Sequence, residues 1–251
     1  MMRITETVKQ LIIINVIFFI GMYFVGEKTA VSILGLHFPE NPEFKFWQPI
    51  TYMFMHGGPM HILFNMFALF SFGGLLENMW GAKKLLFFYF SCGLGAALLH
   101  IGINYIVFYN GLETLQSAGF AKAEIMQLLA EGKYNSKWEE VMSTSQFTNF
   151  MGTYLTPTVG ASGAIYGILV AFAFTVPNAE LMMLFLPIPI KAKYFVPGIL
   201  AIDLFLGLKG QAIFGSGGDG VAHFAHLGGA LIGFIMMWVW SKNQFNNNRW
   251  N

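Results

Sequence analysis

The stretch GASGAIYGILVAFAFTV, residues 160–176, is a nearly continuous apolar run that opens with glycines and alanines around one serine, Ser162. A helix that crosses a bilayer needs roughly 17–25 mostly apolar residues, so this run predicts a transmembrane helix. Polar groups at membrane depth are costly and usually face the protein interior or a wet cavity. The run therefore predicts a membrane fold, and its serine is the position that needs an explanation.

The whole chain has the composition of a membrane protein. Of its 251 residues, 55% are hydrophobic and 11% are charged, whereas a soluble domain carries about 25% charged residues. The formal net charge is +1 and the basic residues form no stripe, which argues against a nucleic-acid partner. The single cysteine, Cys92, excludes an internal disulfide and a cysteine-based metal site.

Five further apolar runs are candidates for membrane-spanning helices. The first, residues 11–25, has no clean cleavage site after it and is followed by more spans, so we interpret it as a retained helix and not as a signal peptide. The fifth contains Asp203, and we expect Pro197 to break it. The predicted fold is an all-α polytopic membrane protein with six transmembrane helices, near residues 8–25, 50–76, 84–108, 159–177, 193–209 and 222–240.

Two polar segments are expected outside these spans of a single membrane domain, residues 1–251. Residues 27–49 form an outer loop after the first helix, and residues 109–156 form an insert between the third and fourth helices. Ser136 and Glu139 have the spacing of a capping box within the insert.

The insert is expected to contain helix before that point as well. Ile125, Leu128 and Leu129 form an apolar face at helical spacing, which Gly132 ends. The favoured interpretation is one or two interfacial helices that pack on the bilayer or on the protein. A role in substrate selection is the alternative.

Six spans place both termini on one side of the membrane, and the basic residues indicate which side. With the termini inside, the inner segments hold eight Lys and Arg residues and the outer segments hold six. The inner ones lie close to helix ends, which strengthens this small bias. We therefore expect a multi-pass protein of a cell membrane, bacterial in origin, with cytoplasmic termini.

Three polar residues on different predicted helices share one depth. Counted from the expected inner ends of their helices, Ser162, His226 and His61 lie fifteen or sixteen residues away, which is roughly 22–24 Å at 1.5 Å per residue. Because the hydrocarbon core is about 30 Å thick, all three would lie in its outer third. A site at this depth is open to water from the outer face.

These residue types suggest acyl-transfer chemistry. A serine hydroxyl becomes a nucleophile when a base takes its proton, and histidine is the usual base. His61 and Asn65 are four apart, so they share a helix face and can both donate hydrogen bonds to an oxyanion. The backbone N–H of Ser162 is expected among the unpaired donors of a helix N-terminus. Asp203 is the one carboxylate within the spans, but nothing in the sequence assigns it to orienting the histidine.

Small residues explain how two such helices would meet. Three glycines lie close to the serine in sequence: Gly160, Gly163 and Gly167. The sixth span contains a G-x-x-x-G pair, Gly229 and Gly233. Such pairs allow helix backbones to approach closely in membranes. The sequence therefore predicts that the fourth and sixth helices pack backbone to backbone and bring serine and histidine together.

The chain resembles the rhomboid family of intramembrane serine proteases in four short segments, and the resemblance extends over about residues 45–240. GASGAIYG is similar to the family's G-x-S-G motif, with Tyr166 four residues after the serine. HGGPMHILFN and GGLLENMWG resemble the second-span segments, and AHFAHLGGALIG resembles the sixth-span motif. The four occur in the family's order, and they include His56, His61, Asn65, Glu77 and His226.

The resemblance implies an activity and assigns residues to it. It implies cleavage of transmembrane protein substrates in or near the lipid bilayer, with no metal and no organic cofactor. The implied roles are Ser162 as nucleophile, His226 as general base, the oxyanion hole from His61, Asn65 and the Ser162 amide, and supporting positions at Tyr166, His56 and Gly160.

Two features depart from the family's pattern. Trp47-Gln48 stands where a Trp-Arg pair is usual, which raises the question of how the outer loop is anchored, and the insert is longer than in the smallest members. The alternative function is a non-catalytic rhomboid-like protein that binds membrane clients, although such a protein should have lost the serine or the histidine. A transporter would show repeat symmetry or paired ionisable residues, which are absent from the sequence.

Overall fold

The computed structural model describes residues 4–183, 186–209 and 220–247. Within these ranges the chain is helical apart from loops and one antiparallel hairpin. The elements in chain order are α1 (Glu6–Val25), α2 (Glu27–Leu34), α3 (Gln48–Thr51), a 3-10 turn (Tyr52–Phe54), α4 (Pro59–Ala68), a π-helical turn (Leu69–Gly73), α5 (Gly74–Trp80), α6 (Ala82–Ser117), α7 (Lys122–Ala130), α8 (Trp138–Val141), α9 (Thr144–Leu155), α10 (Ser162–Thr175), β1 (Glu180–Met183), β2 (Leu186–Lys191), α11 (Ala192–Lys209) and α12 (Gly220–Asn247).

Four helices among the described residues are long and apolar enough to cross a membrane. They are Glu6–Val25, Pro59–Trp80, Ala82–Ser117 and His223–Lys242. The helix Ser162–Thr175 is apolar but has 14 residues, which is below the usual length of a span. The chain is thus a mostly helical polytopic membrane protein, as predicted, and six spans remain a prediction.

The predicted start of the second span, residue 50, was wrong. The structure has α3 and a 3-10 turn over its first residues, and α4 begins at Pro59. Gly57 and Gly58 lower helix propensity before that point, whereas proline fits the first helical position because its missing N–H has no acceptor there. As a result His61 lies in the first turn of α4 and not in the middle of a helix.

Pro197 does not break the fifth predicted helix, contrary to expectation. It lies inside the continuous helix α11, in its second turn. A proline there removes one hydrogen bond to a carbonyl of the first turn, and the remaining turns of the helix keep theirs. The continuous helix carries Asp203, whose side chain is buried.

The insert forms a second hydrophobic core and does not begin where the sequence suggested. Helix α6 continues to Ser117, nine residues past the predicted boundary at residue 108. Beyond it, α7, α8 and α9 enclose a cluster around the fully buried Trp138 and Phe150. Phe38 of the outer loop belongs to the same cluster, so the insert packs on the protein.

The capping box predicted at Ser136 is also wrong. The N-cap of α8 is Lys137, and no side chain caps it. Asn135 binds the Lys137 N–H through its own Oδ1 instead, a local turn that competes with helix capping. The side-chain cap in this region is Ser143, whose Oγ accepts from the Gln146 N–H at 3.2 Å at the start of α9. The predicted face of α7 is present, with Ile125 and Leu129 buried.

Gln48 anchors the outer loop in place of the arginine usual in the family. Its side chain is fully buried and its Nε2 donates to the carbonyls of Ser32 and Glu43 at 3.2 and 3.0 Å. Its Oε1 accepts from the His37 N–H at 3.3 Å. The neighbouring Trp47 donates its Nε1–H to the Ile33 carbonyl at 2.9 Å. The pair thus ties the start of α3 both to the last turns of α2 and to the loop that follows α2.

Helix α10 lies at the centre of the membrane core, against α6 and α12. A Cβ on Gly229 would overlap the carbonyl oxygen of Gly163, and one on Gly233 would lie 2.8 Å from the Gly167 Cα. The predicted backbone contact of α10 with α12 is therefore present. It fixes the distance between the side chains that these two helices carry.

Candidate functional site

Ser162 is the first residue of α10 and follows a tight turn. Gly160 has a φ of 139°, a backbone conformation that glycine tolerates and L side chains rarely adopt. Its N–H donates to the Tyr52 carbonyl at 2.9 Å, which holds the turn. The N-cap residue, Ala161, has no side-chain cap, and the N–H groups of a first helical turn lack acceptors within the helix. Ser162 thus presents its hydroxyl at the N-terminus of a helix.

His226 of α12 faces that hydroxyl. Its Nε2 lies 2.9 Å from Ser162 Oγ, within hydrogen-bonding distance. The ring of Tyr166, one helical turn after the serine, stacks on the imidazole with centroids 4.3 Å apart and planes 11° apart. The predicted pair is therefore in contact, and one face of the imidazole is covered by an aromatic ring.

Asp203 of α11 lies on the other side of the same imidazole. Its Oδ2 and Oδ1 are 3.4 and 3.5 Å from His226 Nδ1. His223, one turn before His226 on α12, approaches Asp203 Oδ1 with its Nδ1 at 2.5 Å. The carboxylate is 2% exposed and the His223 side chain 6%. One buried carboxylate therefore contacts two imidazoles.

His61 of α4 also lies near Ser162. A Cβ built on Gly160 would be 3.1 Å from His61 Nε2 and 3.3 Å from Ser162 Oγ, so glycine is needed for the two side chains to converge. The Gly57 N–H points at His61 Nδ1 at 3.4 Å. Asn65 is buried one turn further along α4, and the buried ring of His56 has its centroid 5.0 Å from that of His61.

Comparison with known proteins agrees with this architecture. A family model described as the rhomboid domain matches residues 43–243, well over half of the chain. The chain belongs to the rhomboid family. Proteins named rhomboid protease GlpG from Salmonella paratyphi A, Salmonella typhi and Salmonella newport are 35% identical to it over 71 residues. That stretch is 28% of this rhomboid and 26% of each relative, so the alignment spans about a quarter of the relatives' length.

Three residues of this rhomboid whose side chains can ligate a metal lie together, and His226 is one of them. Among the described residues, Asp203, His223 and His226 bring three ligand atoms within 4.8 Å of one another. Two imidazoles and a carboxylate are ligands that zinc accepts. In the structure the Nδ1 atoms of both histidines face the carboxylate. The cluster is therefore held together by its own hydrogen bonds.

Asp203 and His223 are the residues of this rhomboid that sequence reasoning undervalued. The sequence offered two signals: an aspartate inside an apolar span, and a histidine three residues before His226 on nearly the same helix face. Neither signal indicated that Asp203 lies on the face of α11 that contacts α12. Cys92 and His100 lie among packing and loop contacts, such as the 2.7 Å contact of His100 with Thr158.

Proposed function

We propose that this rhomboid is an intramembrane serine endopeptidase that hydrolyses peptide bonds in or near the transmembrane segments of membrane-protein substrates. The observation that carries the proposal is the 2.9 Å contact between Ser162 Oγ and His226 Nε2. A serine and a histidine in this relation can transfer a proton as nucleophile and general base. The family membership and the names of the matched relatives support the same reaction class.

In the acylation step, Ser162 Oγ attacks the carbonyl carbon of the scissile bond while its proton moves to His226 Nε2. The tetrahedral intermediate collapses when the C–N bond breaks and His226 returns the proton to the leaving amine. An ester between Ser162 and the substrate remains. Water then attacks this ester and gives its proton to His226. The second tetrahedral intermediate collapses when the bond between the acyl carbon and Ser162 Oγ breaks, and His226 returns the proton to Oγ, which releases the acid product and the free serine.

The developing oxyanion needs donors on the side of Ser162 away from His226. We assign this role to the backbone N–H of Ser162 at the N-terminus of α10, together with His61 and Asn65 of α4. Preorganised donors of this kind contribute roughly 10²–10³-fold to catalysis each. Tyr166 supports the base by stacking on it. His56 and Gly160 hold the surroundings of His61.

The cell membrane is the proposed location, with cytoplasmic termini and a site that opens to the outer face. The apolar helices and the bacterial relatives support a bacterial membrane. The substrates would be single-pass or multi-pass membrane proteins, since a site at this depth reaches chains that lie in lipid. No nucleic acid, metal or organic cofactor is part of the proposed reaction.

The test is cleavage of a model single-pass substrate by the full chain reconstituted in liposomes. Ser162→Ala should abolish the cleavage, and Ser91→Ala, a serine in the apolar part of α6, should leave it unchanged. Cleavage by Ser162→Ala at the wild-type rate would reject the proposal. If the wild type binds the substrate and never cleaves it, the alternative of a non-catalytic client-binding protein is correct.

A phosphonate that reacts with activated serines gives a substrate-independent check. It should label the wild type at Ser162, and His226→Ala should remove the labelling. Equal labelling of the two proteins would count against His226 as the base.

A further inference from the structure

Asp203 carries a carboxylate into an apolar helix of a membrane protein, where a charged side chain is expensive and is usually retained for a reason. It is 1% exposed. It has two imidazole neighbours from α12, at 2.5 Å and about 3.5 Å. The placement thus costs folding free energy that the nearby histidines partly offset.

The two contacts differ in kind. His223 Nδ1 lies well within hydrogen-bonding distance of the carboxylate Oδ1. His226 Nδ1 is at 3.4–3.5 Å, the long end of hydrogen-bonding distance. Catalytic hydrogen bonds are often long in the absence of substrate and tighten in the reacting complex. Asp203 is therefore anchored by His223 and directed at His226.

The tautomer of His226 connects this contact to the reaction. Nε2 can accept the Ser162 proton only when Nδ1 carries the ring hydrogen. A carboxylate beside Nδ1 accepts that hydrogen and selects this tautomer. When the ring becomes an imidazolium during attack, the same carboxylate lies next to the new positive charge.

Resting on the proposed function, we infer that Asp203 is a positioning residue for His226, and that His223 in turn fixes Asp203. Ser162, His226 and Asp203 then form a continuous relay from α10 through α12 to α11. Asp203 contacts His226 at Nδ1, the ring nitrogen that does not receive the serine proton. Tyr166 packs on the face of the same ring.

The experiment compares Asp203→Asn, Asp203→Glu and His223→Gln with wild type, by initial rates on the reconstituted model substrate and by phosphonate labelling. Asp203→Asn should lower kcat at least tenfold with KM changed less than twofold, and the labelling rate should fall in parallel. Asp203→Glu should recover part of kcat, and His223→Gln should lower kcat by a smaller factor than Asp203→Asn. A merely structural role would not split kcat from KM in this way.

Glu77→Gln is the matched control, because it neutralises another buried carboxylate, which lies on α5 at its contact with α1. Glu77 binds the Thr7 and Val8 N–H groups at the start of α1, so its loss should lower stability without changing kcat of the folded protein. If Asp203→Asn does not fold, His223→Gln and Asp203→Glu decide: wild-type kcat in both overturns the inference.

The outcomes separate this inference from the proposed function. If Ser162→Ala is inactive and Asp203→Asn keeps wild-type kcat, the relay is wrong and the serine protease assignment stands. If Ser162→Ala remains active, the proposed function itself fails.

Discussion

Gly160 stands where the backbone turns into α10 with a φ of 139°. The turn places Ser162 at the helix N-terminus and leaves room for the His61 ring. A side chain at residue 160 is disfavoured for two reasons. The backbone conformation is strained for L residues, and the added Cβ would lie 3.1 Å from the His61 ring. A non-glycine residue held in such a conformation costs on the order of 1–3 kcal/mol.

Gly160→Ala is therefore expected to fold less stably and to lose most of its phosphonate labelling, at least tenfold in rate. Gly21→Ala in α1 is the control, because nothing lies within 4 Å of a Cβ there. It should label at the wild-type rate. Full labelling of Gly160→Ala would show that the turn tolerates a side chain and that His61 has no fixed place beside the serine.

The cluster of Asp203, His223 and His226 makes a second prediction at this scale. Because the histidines face the carboxylate and the serine with their ring nitrogens, substrate cleavage should persist after dialysis against EDTA. Cleavage rates before and after chelation, and after added Zn²⁺, check this. Loss of activity on chelation with recovery on zinc addition would assign the cluster to a metal instead of a relay.

At the scale of elements, α10 and α12 are joined by glycines. Gly229 on α12 meets the backbone of Gly163 on α10, and Gly233 meets Gly167 one turn further on. Close approach of this kind brings van der Waals contact along both helices and defines their separation. The Ser162–His226 distance depends on it, since each helix carries one member of the pair.

Gly229→Ala should push the two helices apart. Overpacking of a tight core costs typically about 1–3 kcal/mol, and we expect both a lower unfolding temperature in detergent and loss of substrate cleavage. Gly198→Ala on α11, with no atom within 4 Å of its Cβ, should be neutral or slightly stabilising. Wild-type activity in Gly229→Ala would contradict the dependence of the site on this contact.

At the scale of the molecule, the chain has a membrane core and a separate outer core. The outer core centres on Trp138, with Phe108 from α6, Phe150 from α9 of the insert and Phe38 from the outer loop. Asn41 Nδ2 adds a 2.8 Å bond to the Tyr154 carbonyl. Insert and outer loop thus fold against each other on the side where the α10 turn begins.

Trp138→Ala should destabilise this outer core while it leaves the serine reactive. Removing a buried tryptophan costs roughly 3–5 kcal/mol, so hydrogen exchange or limited proteolysis should increase within residues 118–155. The labelling rate of Ser162 should change less than twofold. Trp238→Ala, at a half-exposed position of α12, is the control and should affect the insert little. Loss of labelling in Trp138→Ala would mean that the insert supports the site.

Most of the site was accessible from sequence because its signals are local. The apolar runs, the glycine spacing and the four motif segments are each confined to one continuous stretch of the chain. Helix rise is constant, so counting residues placed Ser162, His226 and His61 at one depth. The errors came where neighbours compete for the same backbone, as at Ser136 and at the start of α4.

By itself the sequence determined a helical membrane protein with a serine and a histidine on glycine-rich helices, because hydrophobicity and helical period are properties of short segments. The tertiary structure alone decided that Asp203, 23 residues before His226, turns toward it, and that Gln48 anchors the outer loop. Each residue step rotates a helix by about 100°. The face that α11 presents to α12 is therefore set by side-chain packing between the helices, which no single segment encodes.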